Sequence, residues 1–200
     1  MPQVRIGVLG LGFMGQTHVR AIQAIAARGA PCRLTAVCDA SPERLNGRTA
    51  ATGNYDDAEG ERLFDPGSLR TYTNADAFFA DPEIDVVHVC TWTDSHVDFA
   101  IAALQAGKHV LVEKPVAVRG DAVERLAKAV ARTDRVCMPA MCMRFWPGWT
   151  WLKERIADGA YGPVHSAVFR RLGTAPGWGD GFYTDTSRSG GALVDLHIHD

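Results

Sequence analysis

The chain has 200 residues, and 46% of them are hydrophobic, so it can bury one complete core and part of a second. Its formal net charge of -2 argues against nucleic acids and anionic membranes as partners, and we expect small-molecule partners instead. The first strand begins too early for a secretory signal, and no apolar run is long enough to span a membrane. Five cysteines without a CxxC pair fit reduced thiols, so we expect a cytoplasmic protein.

The first part of the chain alternates between strand and helix patterns. An apolar run at 4–9 precedes a glycine-rich turn and then apolar residues at helical spacing. A second β-rich run at 33–38 completes a βαβ unit, which requires parallel strands. The alternation continues to a last candidate strand at 136–139. We therefore predict an α/β fold, a Rossmann-type doubly wound parallel sheet, over residues 1–140.

The turn after the first strand contains Gly10, Gly12 and Gly15, with Phe13 and Met14 between the last two glycines. Between a strand and a helix, such glycines let the backbone turn sharply and approach a pyrophosphate, which the helix N-terminal amides bind. The alternative is a turn that serves only close helix packing. We predict dinucleotide binding.

Asp39 follows the second strand, somewhat over 20 residues beyond the glycines. A carboxylate there can accept hydrogen bonds from ribose hydroxyls and repel a 2'-phosphate, which favours NAD over NADP. The alternative is that Asp39 only opens the turn before Ser41 and Pro42.

Thr91 to His96 and the Glu113-Lys114-Pro115 triplet each follow a predicted strand and therefore face the ligand crevice of a parallel sheet. A lysine there can hydrogen-bond a substrate hydroxyl and hold a nearby histidine neutral. The following proline restricts Lys114 to an extended backbone and permits a cis bond. The alternatives are that His96 sits in an ordinary first helical turn and that Lys114 faces solvent.

Asp195 and His199 are four residues apart, so on one helix they would share a face and the carboxylate could orient the imidazole. An imidazole has the intrinsic pKa, about 6.5, to take a hydroxyl proton near neutral pH. The alternative is a metal site made by His197 and His199 with Asp195 or Asp200. We predict no metal, because no further Cys or His cluster supports one.

In combination, these motifs resemble the Gfo/Idh/MocA oxidoreductase family, the group of glucose-fructose oxidoreductase and inositol 2-dehydrogenase, from Val4 to Asp200. Residues 106–115 are similar to its AGKHVxxEKP segment, and residues 190–199 to its GGALxDxxxH segment. Residues 91–96 align with its TPNxxH segment, although Trp92 and Thr93 replace the proline and the asparagine. The resemblance implies a soluble enzyme of polyol chemistry.

The resemblance also implies roles for individual residues. The implied catalytic residues are Lys114, Asp195 and His199, and these three together with Arg144 would bind substrate. The candidate cofactor contacts are Gly10, Gly12, Phe13, Met14, Gly15, Asp39, Thr91, His96, Glu113 and Lys114. The implied reaction is hydride transfer between NAD and a secondary alcohol of a sugar, cyclitol or related polyol. An NAD-dependent glycosidase that uses transient oxidation and a non-catalytic NAD-binding module are the alternatives.

Residues 141–200 are expected to begin an α+β domain with a mixed open sheet, which would bind substrate, mediate homo-oligomer formation and carry the catalytic helix. A strand-like run at 164–172 would start that sheet. Family members are considerably longer, and a sheet begun without its partner strands would expose backbone and apolar surface. We therefore expect a truncated fragment of a longer homo-oligomeric protein.

Overall fold

The computed structural model describes residues 3–49, 60–170, 172 and 181–199. Within these ranges the strands are β1 (Val4–Leu9), β2 (Cys32–Cys38), β3 (Arg70–Tyr72), β4 (Val86–Val89), β5 (His109–Val112) and β6 (Cys137–Pro139). The helices are α1 (Phe13–Ala27), α2 (Ala75–Phe79), α3 (His96–Gln105), α4 (Gly120–Val130), α5 (Pro147–Ala157), α6 (Thr186–Ser189) and α7 (Gly191–Asp195). Short 3-10 helices lie at Pro42–Asn46, Thr93–Ser95, Cys142–Phe145 and His197–His199.

The strands form one sheet in the order β3-β2-β1-β4-β5-β6, and all neighbouring pairs are parallel. The chain moves outward in one direction from β1 to β3 and then returns to the other side of β1 with β4. Ligands of such sheets bind at this switch point, outside the carboxyl ends of the strands. The predicted Rossmann-type parallel sheet is confirmed, including the last strand before residue 140.

Helices cover both faces of the sheet, and β4 shows which side chains meet which helix. Val87 and Val89 pack in one cluster with Ala100 of α3, whereas Val86 packs in the other cluster with Val19 of α1. Because successive side chains of a strand point to opposite faces, His88 lies on the α1 side of the sheet.

The predicted strand at 164–172 is not formed. Residues 162–170 and 172 have no regular secondary structure, and Arg171 lies outside the described residues. A β-strand is stabilised by hydrogen bonds to a neighbouring strand, and no described segment pairs with this one. Val168 is 78% exposed and Leu172 is 93% exposed, so the apolar side chains that suggested a strand have no sheet to cover.

The five cysteines are free thiols, and Cys32, Cys38 and Cys90 are buried. Buried free cysteines behave as small apolar residues, which matches their places in the core. Over the described ranges, no helix combines the length and apolar character needed to cross a membrane. In the same ranges, no group of three or more His, Cys, Asp or Glu side chains is arranged to hold a metal ion.

Candidate active site

The three glycines of the turn between β1 and α1 have different surroundings. Gly10 has a φ of +88°, and a Cβ there would lie 2.7 Å from the Cys90 carbonyl oxygen. A Cβ on Gly15 would lie 1.8 Å from the Gly10 carbonyl oxygen, so Gly15 lets α1 pack directly on the turn. A Cβ on Gly12 would meet nothing within 4 Å. The backbone at Gly12 is therefore open where a helix N-terminus can receive a pyrophosphate.

Asp39 is buried at the end of β2 and ties that strand to the glycine turn. The Leu11 N–H donates to its Oδ2 at 2.7 Å, and the Ser41 N–H donates to its Oδ1 at 2.9 Å. Arg44 lies at the edge of the same carboxylate, with its Nη1 3.4 Å from Oδ2. The structure thus gives Asp39 a structural role that opens the turn at Ser41 and also places it on the cavity surface.

Thr91 and His96 connect the carboxyl ends of β4 and β5. The His96 ring nitrogens lie 2.9 Å from the Pro115 carbonyl oxygen and 3.0 Å from the Thr91 carbonyl oxygen. The Thr91 and Ser95 hydroxyls are 2.7 Å apart. His96 is 1% exposed, and both of its ring nitrogens contact backbone carbonyl oxygens. It therefore links the ends of the two strands and leaves no ring nitrogen open to a ligand.

Lys114 reaches from the end of β5 to Asp195 at the end of α7. Its Nζ donates to the Asp195 carbonyl oxygen at 2.8 Å and to Oδ1 at 3.1 Å. The Lys114-Pro115 peptide is cis, as the sequence permits. These contacts join two residues that are far apart in the chain and that the family resemblance had grouped as catalytic.

Asp195 and His199 do not share one helix face. Helix α7 has five residues and ends at Asp195, and His199 belongs to the separate 3-10 helix His197–His199. Helix ends often tighten into 3-10 turns, and in such a turn the four-residue spacing no longer stacks two side chains. Asp195 therefore positions Lys114, and its predicted contact with His199 remains a prediction.

One cavity of about 930 Å³ collects these residues, which is within the usual size of a cofactor pocket. It is lined by nine of the predicted cofactor residues and by Asp195; the nine are Gly10, Gly12, Phe13, Met14, Asp39, Thr91, His96, Glu113 and Lys114. Gly15 lies beneath the turn instead. Arg144 is exposed on the 3-10 helix Cys142–Phe145, and neither Arg144 nor His199 is among the lining residues.

Trp92, Phe182 and Arg188 form what we call the aromatic rim, and Trp92 and Phe182 line one side of the cavity. Of the three residues, only Trp92 was identified from the sequence. The Trp92 and Phe182 ring centroids are 4.6 Å apart, and the Arg188 guanidinium lies 5.6 Å and 5.2 Å from them. Arg188 Nε also lies 3.3 Å from Asp94 Oδ2. The rim therefore holds the segment that carries Asp195 against the end of β4.

Tyr183 is a further lining residue that the sequence did not single out. Burial, and then the nearby Asp195 carboxylate, raise the pKa of its phenol, so Tyr183 is a neutral hydroxyl at physiological pH. It lies close to Arg188 and His199 in the chain, but an aromatic pair in a glycine-rich stretch gives no sequence signal for a site.

A second missed group, which we call the buried histidine chain, consists of His88, His18 and Glu113. His18 Nδ1 lies 2.9 Å from His88 Nδ1, and His18 Nε2 lies 2.8 Å from Glu113 Oε1. The other Glu113 oxygen, Oε2, accepts from the Lys114 N–H at 3.0 Å. These hydrogen bonds thus connect His88, on the α1 side of the sheet, to the backbone of Lys114.

The residues present fit a dinucleotide. Gly12 leaves open space at the α1 N-terminus, Asp39 stands at the end of the neighbouring strand, and the cavity extends from there to Lys114. From Asp39 across the glycine turn to Lys114, an adenosine ribose, a pyrophosphate and a nicotinamide would each meet a matching surface in that order.

Comparison with known proteins agrees with this geometry. The Gfo/Idh/MocA model, described as an oxidoreductase family with an NAD-binding Rossmann fold, matches residues 4–141. An inositol 2-dehydrogenase from Rhizobium meliloti (strain 1021) is 32% identical over 198 residues, which are 98% of this chain and 52% of that protein. The chain spans about half the length of the curated relatives it matches.

Two solved structures show the same likeness. One, from Sinorhizobium meliloti 1021 and provisionally described as a myo-inositol dehydrogenase, has a TM-score of 0.73 and 28% identity, covering 99% of this chain and 53% of that one. A levoglucosan dehydrogenase in complex with NADH and levoglucosan has a TM-score of 0.66 and 27% identity, covering 80% and 40%. The chain, with its NAD-binding Rossmann fold, belongs to the Gfo/Idh/MocA oxidoreductase family.

Proposed function

We propose that this chain carries the cofactor site and the catalytic lysine of an NAD-dependent dehydrogenase that oxidises a secondary alcohol of a sugar, cyclitol or related polyol. The observation that carries the proposal is the Lys114–Asp195 pair, which stands on the cavity that begins at the glycine turn. The relatives described as inositol 2-dehydrogenases and as a levoglucosan dehydrogenase support a polyhydroxylated ring as substrate.

NAD, when bound, supplies the acceptor for the hydride that leaves the carbinol carbon. Lys114 binds the substrate hydroxyl oxygen and stabilises the negative charge that develops there as the proton leaves. Asp195 holds the Lys114 Nζ in place through its carboxylate and its carbonyl oxygen. The Rossmann turn and α1 N-terminus hold the pyrophosphate, and Asp39 favours the unphosphorylated ribose of NAD over NADP.

His199 is the proposed acceptor of the hydroxyl proton, because an imidazole has the required intrinsic pKa and the residue matches the histidine of the family's GGALxDxxxH segment. This role requires the His199 imidazole to reach the substrate hydroxyl that Lys114 binds. Arg144, exposed on the 3-10 helix after β6, is a proposed substrate contact.

We also propose that residues 1–140 are the cofactor-binding unit and that residues 141–200 open a substrate-binding and oligomerisation unit. The end of the last strand at Pro139 supports the boundary. Exposed Phe145, Trp151 and Leu172 support association through the second unit. The free thiols fit a reducing cytoplasm.

The test is to offer the purified protein a panel of inositols and sugars with NAD or NADP and to follow formation of the reduced cofactor. We expect reduction of NAD with at least one cyclic polyol and weaker reduction of NADP. Firm NAD binding without turnover of any polyol would contradict the proposal, and tighter binding of NADP would overturn the role of Asp39.

A further inference from the structure

The buried histidine chain contacts the backbone of Lys114, the proposed catalytic lysine, through Glu113. His18 projects from α1 and His88 from β4, and Glu113 directly follows β5. The His18 and Glu113 side chains are 12% and 7% exposed. No step proposed so far uses His18 or His88, although their contacts end at the N–H of Lys114.

The hydrogen bonds restrict where the protons sit. The short contact between the two Nδ1 atoms requires one imidazole to donate and the other to accept. A neutral His18 can accept from the His88 Nδ1–H and donate its Nε2–H to Glu113. A protonated His18 also satisfies every member, because its Nδ1–H donates to a neutral His88 and its Nε2–H donates to the Glu113 carboxylate. Glu113 keeps its second oxygen for the Lys114 N–H.

The surrounding charges favour that arrangement. Burial by itself lowers the pKa of His18, but Cys90 and Glu113 act in the opposite direction and the pKa of His18 is raised overall. The Glu113 carboxylate is in direct contact with His18, with Oε1 2.8 Å from Nε2, and this ion pair keeps His18 charged. Burial, and then the nearby His18, lower the pKa of His88, which therefore stays neutral.

We propose that His18 is a positioning residue for Lys114: a buried imidazolium, with His88 as its neutral acceptor, that fixes the Glu113 carboxylate and, through it, the backbone at Lys114. This role for Lys114 rests on the proposed function, whereas the charge on His18 does not. A fixed and neutralised Glu113 cannot turn toward the neighbouring Lys114 ammonium. The ammonium therefore remains available to Asp195 and to the substrate oxygen.

The first test is NMR of the imidazole nitrogens in the unaltered protein, assigned through bonds to each histidine. The ordinary pKa of a histidine is about 6.5. We expect His18 to stay protonated on both nitrogens from about pH 6 to about pH 8, and we expect His88 to stay neutral below about pH 6.5. In Glu113→Gln, the pKa of His18 should fall. Ordinary titration of His18 near 6.5 in the unaltered protein would overturn the proposal.

The second test separates positioning from general stability. His18→Gln keeps a side chain that can hydrogen-bond but carries no charge, and His165→Gln changes an exposed histidine as the matched control. We expect H18Q to lower kcat on the order of 10- to 100-fold, a size typical of a misplaced catalytic group, with nearly unchanged NAD affinity measured by tryptophan fluorescence.

H165Q should leave both values unchanged. If H18Q behaves like H165Q, His18 does not position Lys114. If the unaltered protein oxidises no polyol, the proposed function fails, and the NMR result still decides whether His18 carries its charge.

Discussion

The two sides of the cavity are held in different ways. The side built by the glycine turn, Asp39 and the ends of β4 and β5 follows from the sheet, because backbone hydrogen bonds and the buried cores fix each residue. The side built by residues 181–199 rests on the Lys114–Asp195 pair, the aromatic rim and the Arg188–Asp94 contact. Cofactor binding is thus built into the fold, whereas the second side is attached through a few side chains.

Exposure shows the same contrast. Val8, Val87 and Val112 of the sheet are fully buried, whereas Leu193 of α7 is 77% exposed. The second side therefore depends on specific polar and aromatic contacts more than on apolar burial. Changes on the sheet side should affect stability and NAD affinity, and changes at the junction should affect turnover first.

The largest effect is expected for Lys114→Met, which removes the ammonium that joins the two sides. We expect turnover to fall on the order of 10²- to 10⁴-fold, because the substrate oxygen loses its charged partner. NAD affinity should change far less. Lys153→Met, at an exposed position on α5, is the matched control. Equal activities of the two variants would remove Lys114 from the chemistry.

The glycine turn offers a comparison within the first side. Gly15→Ala should destabilise the protein by about 1–3 kcal/mol or more, because the new Cβ would overlap the Gly10 carbonyl. Gly12→Ala should leave stability nearly unchanged, because nothing surrounds that Cβ, but it should weaken NAD binding by blocking the pyrophosphate. Urea denaturation and NAD titration of both variants measure these effects, and equal NAD affinity in G12A and the unaltered protein would contradict the assignment.

His18 and His88 should make the free energy of unfolding depend on pH in opposite directions. The raised pKa of His18 means that its contribution is complete below about 6.5 and is lost as the pH rises toward the folded-state pKa. The lowered pKa of His88 means that its contribution is present above about 6.5 and is lost as the pH falls.

Each group can change the free energy of unfolding by up to about 1.4 kcal/mol per pH unit within its window. Urea denaturation on both sides of neutral pH should therefore show the alkaline slope reduced in H18Q and the acid slope reduced in His88→Asn. Slopes that do not change in either variant would contradict the protonation states assigned here.

The smallest effect is expected for Arg188→Ala at the aromatic rim. An exposed ion pair contributes on the order of 0–1 kcal/mol, and a cation–π contact adds a similar amount, so global stability should change little. KM for the polyol should rise because the segment that carries Asp195 is held less firmly. Arg170→Ala, at an exposed position away from the cavity, is the control, and an identical KM in the two variants would exclude a role for the rim.

The sequence predicted the first side well because that side depends on local patterns. A strand, three glycines and a helix specify the turn, and the apolar runs specify where the parallel strands lie in the chain. Nine of the ten predicted cofactor residues line the cavity, whereas Gly15 packs α1 against the glycine turn. The spacing of the three glycines does not distinguish a glycine needed for packing from one that lies at the cofactor. Whether the nine contact NAD stays a prediction.

The second side could not be predicted in the same way. The contact of Asp195 with Lys114 joins residues 81 positions apart, and only the family resemblance grouped them. The expectation of one helix face for Asp195 and His199 failed because α7 ends after five residues. His18 and His88 gave no signal, because their contact depends on the packing of α1 across β4.

In the proposed reaction, a hydride moves directly from a polyol carbon to NAD at the Lys114 site. The most direct measurement offers NAD together with a cyclic polyol that supports turnover and carries deuterium on its ring carbons, and then determines the deuterium content of the reduced cofactor. We expect NADH with one deuterium per molecule in the unaltered protein and a large loss of that product in Lys114→Met. Reduced cofactor without deuterium, or equal deuterium transfer in Lys114→Met, would contradict it.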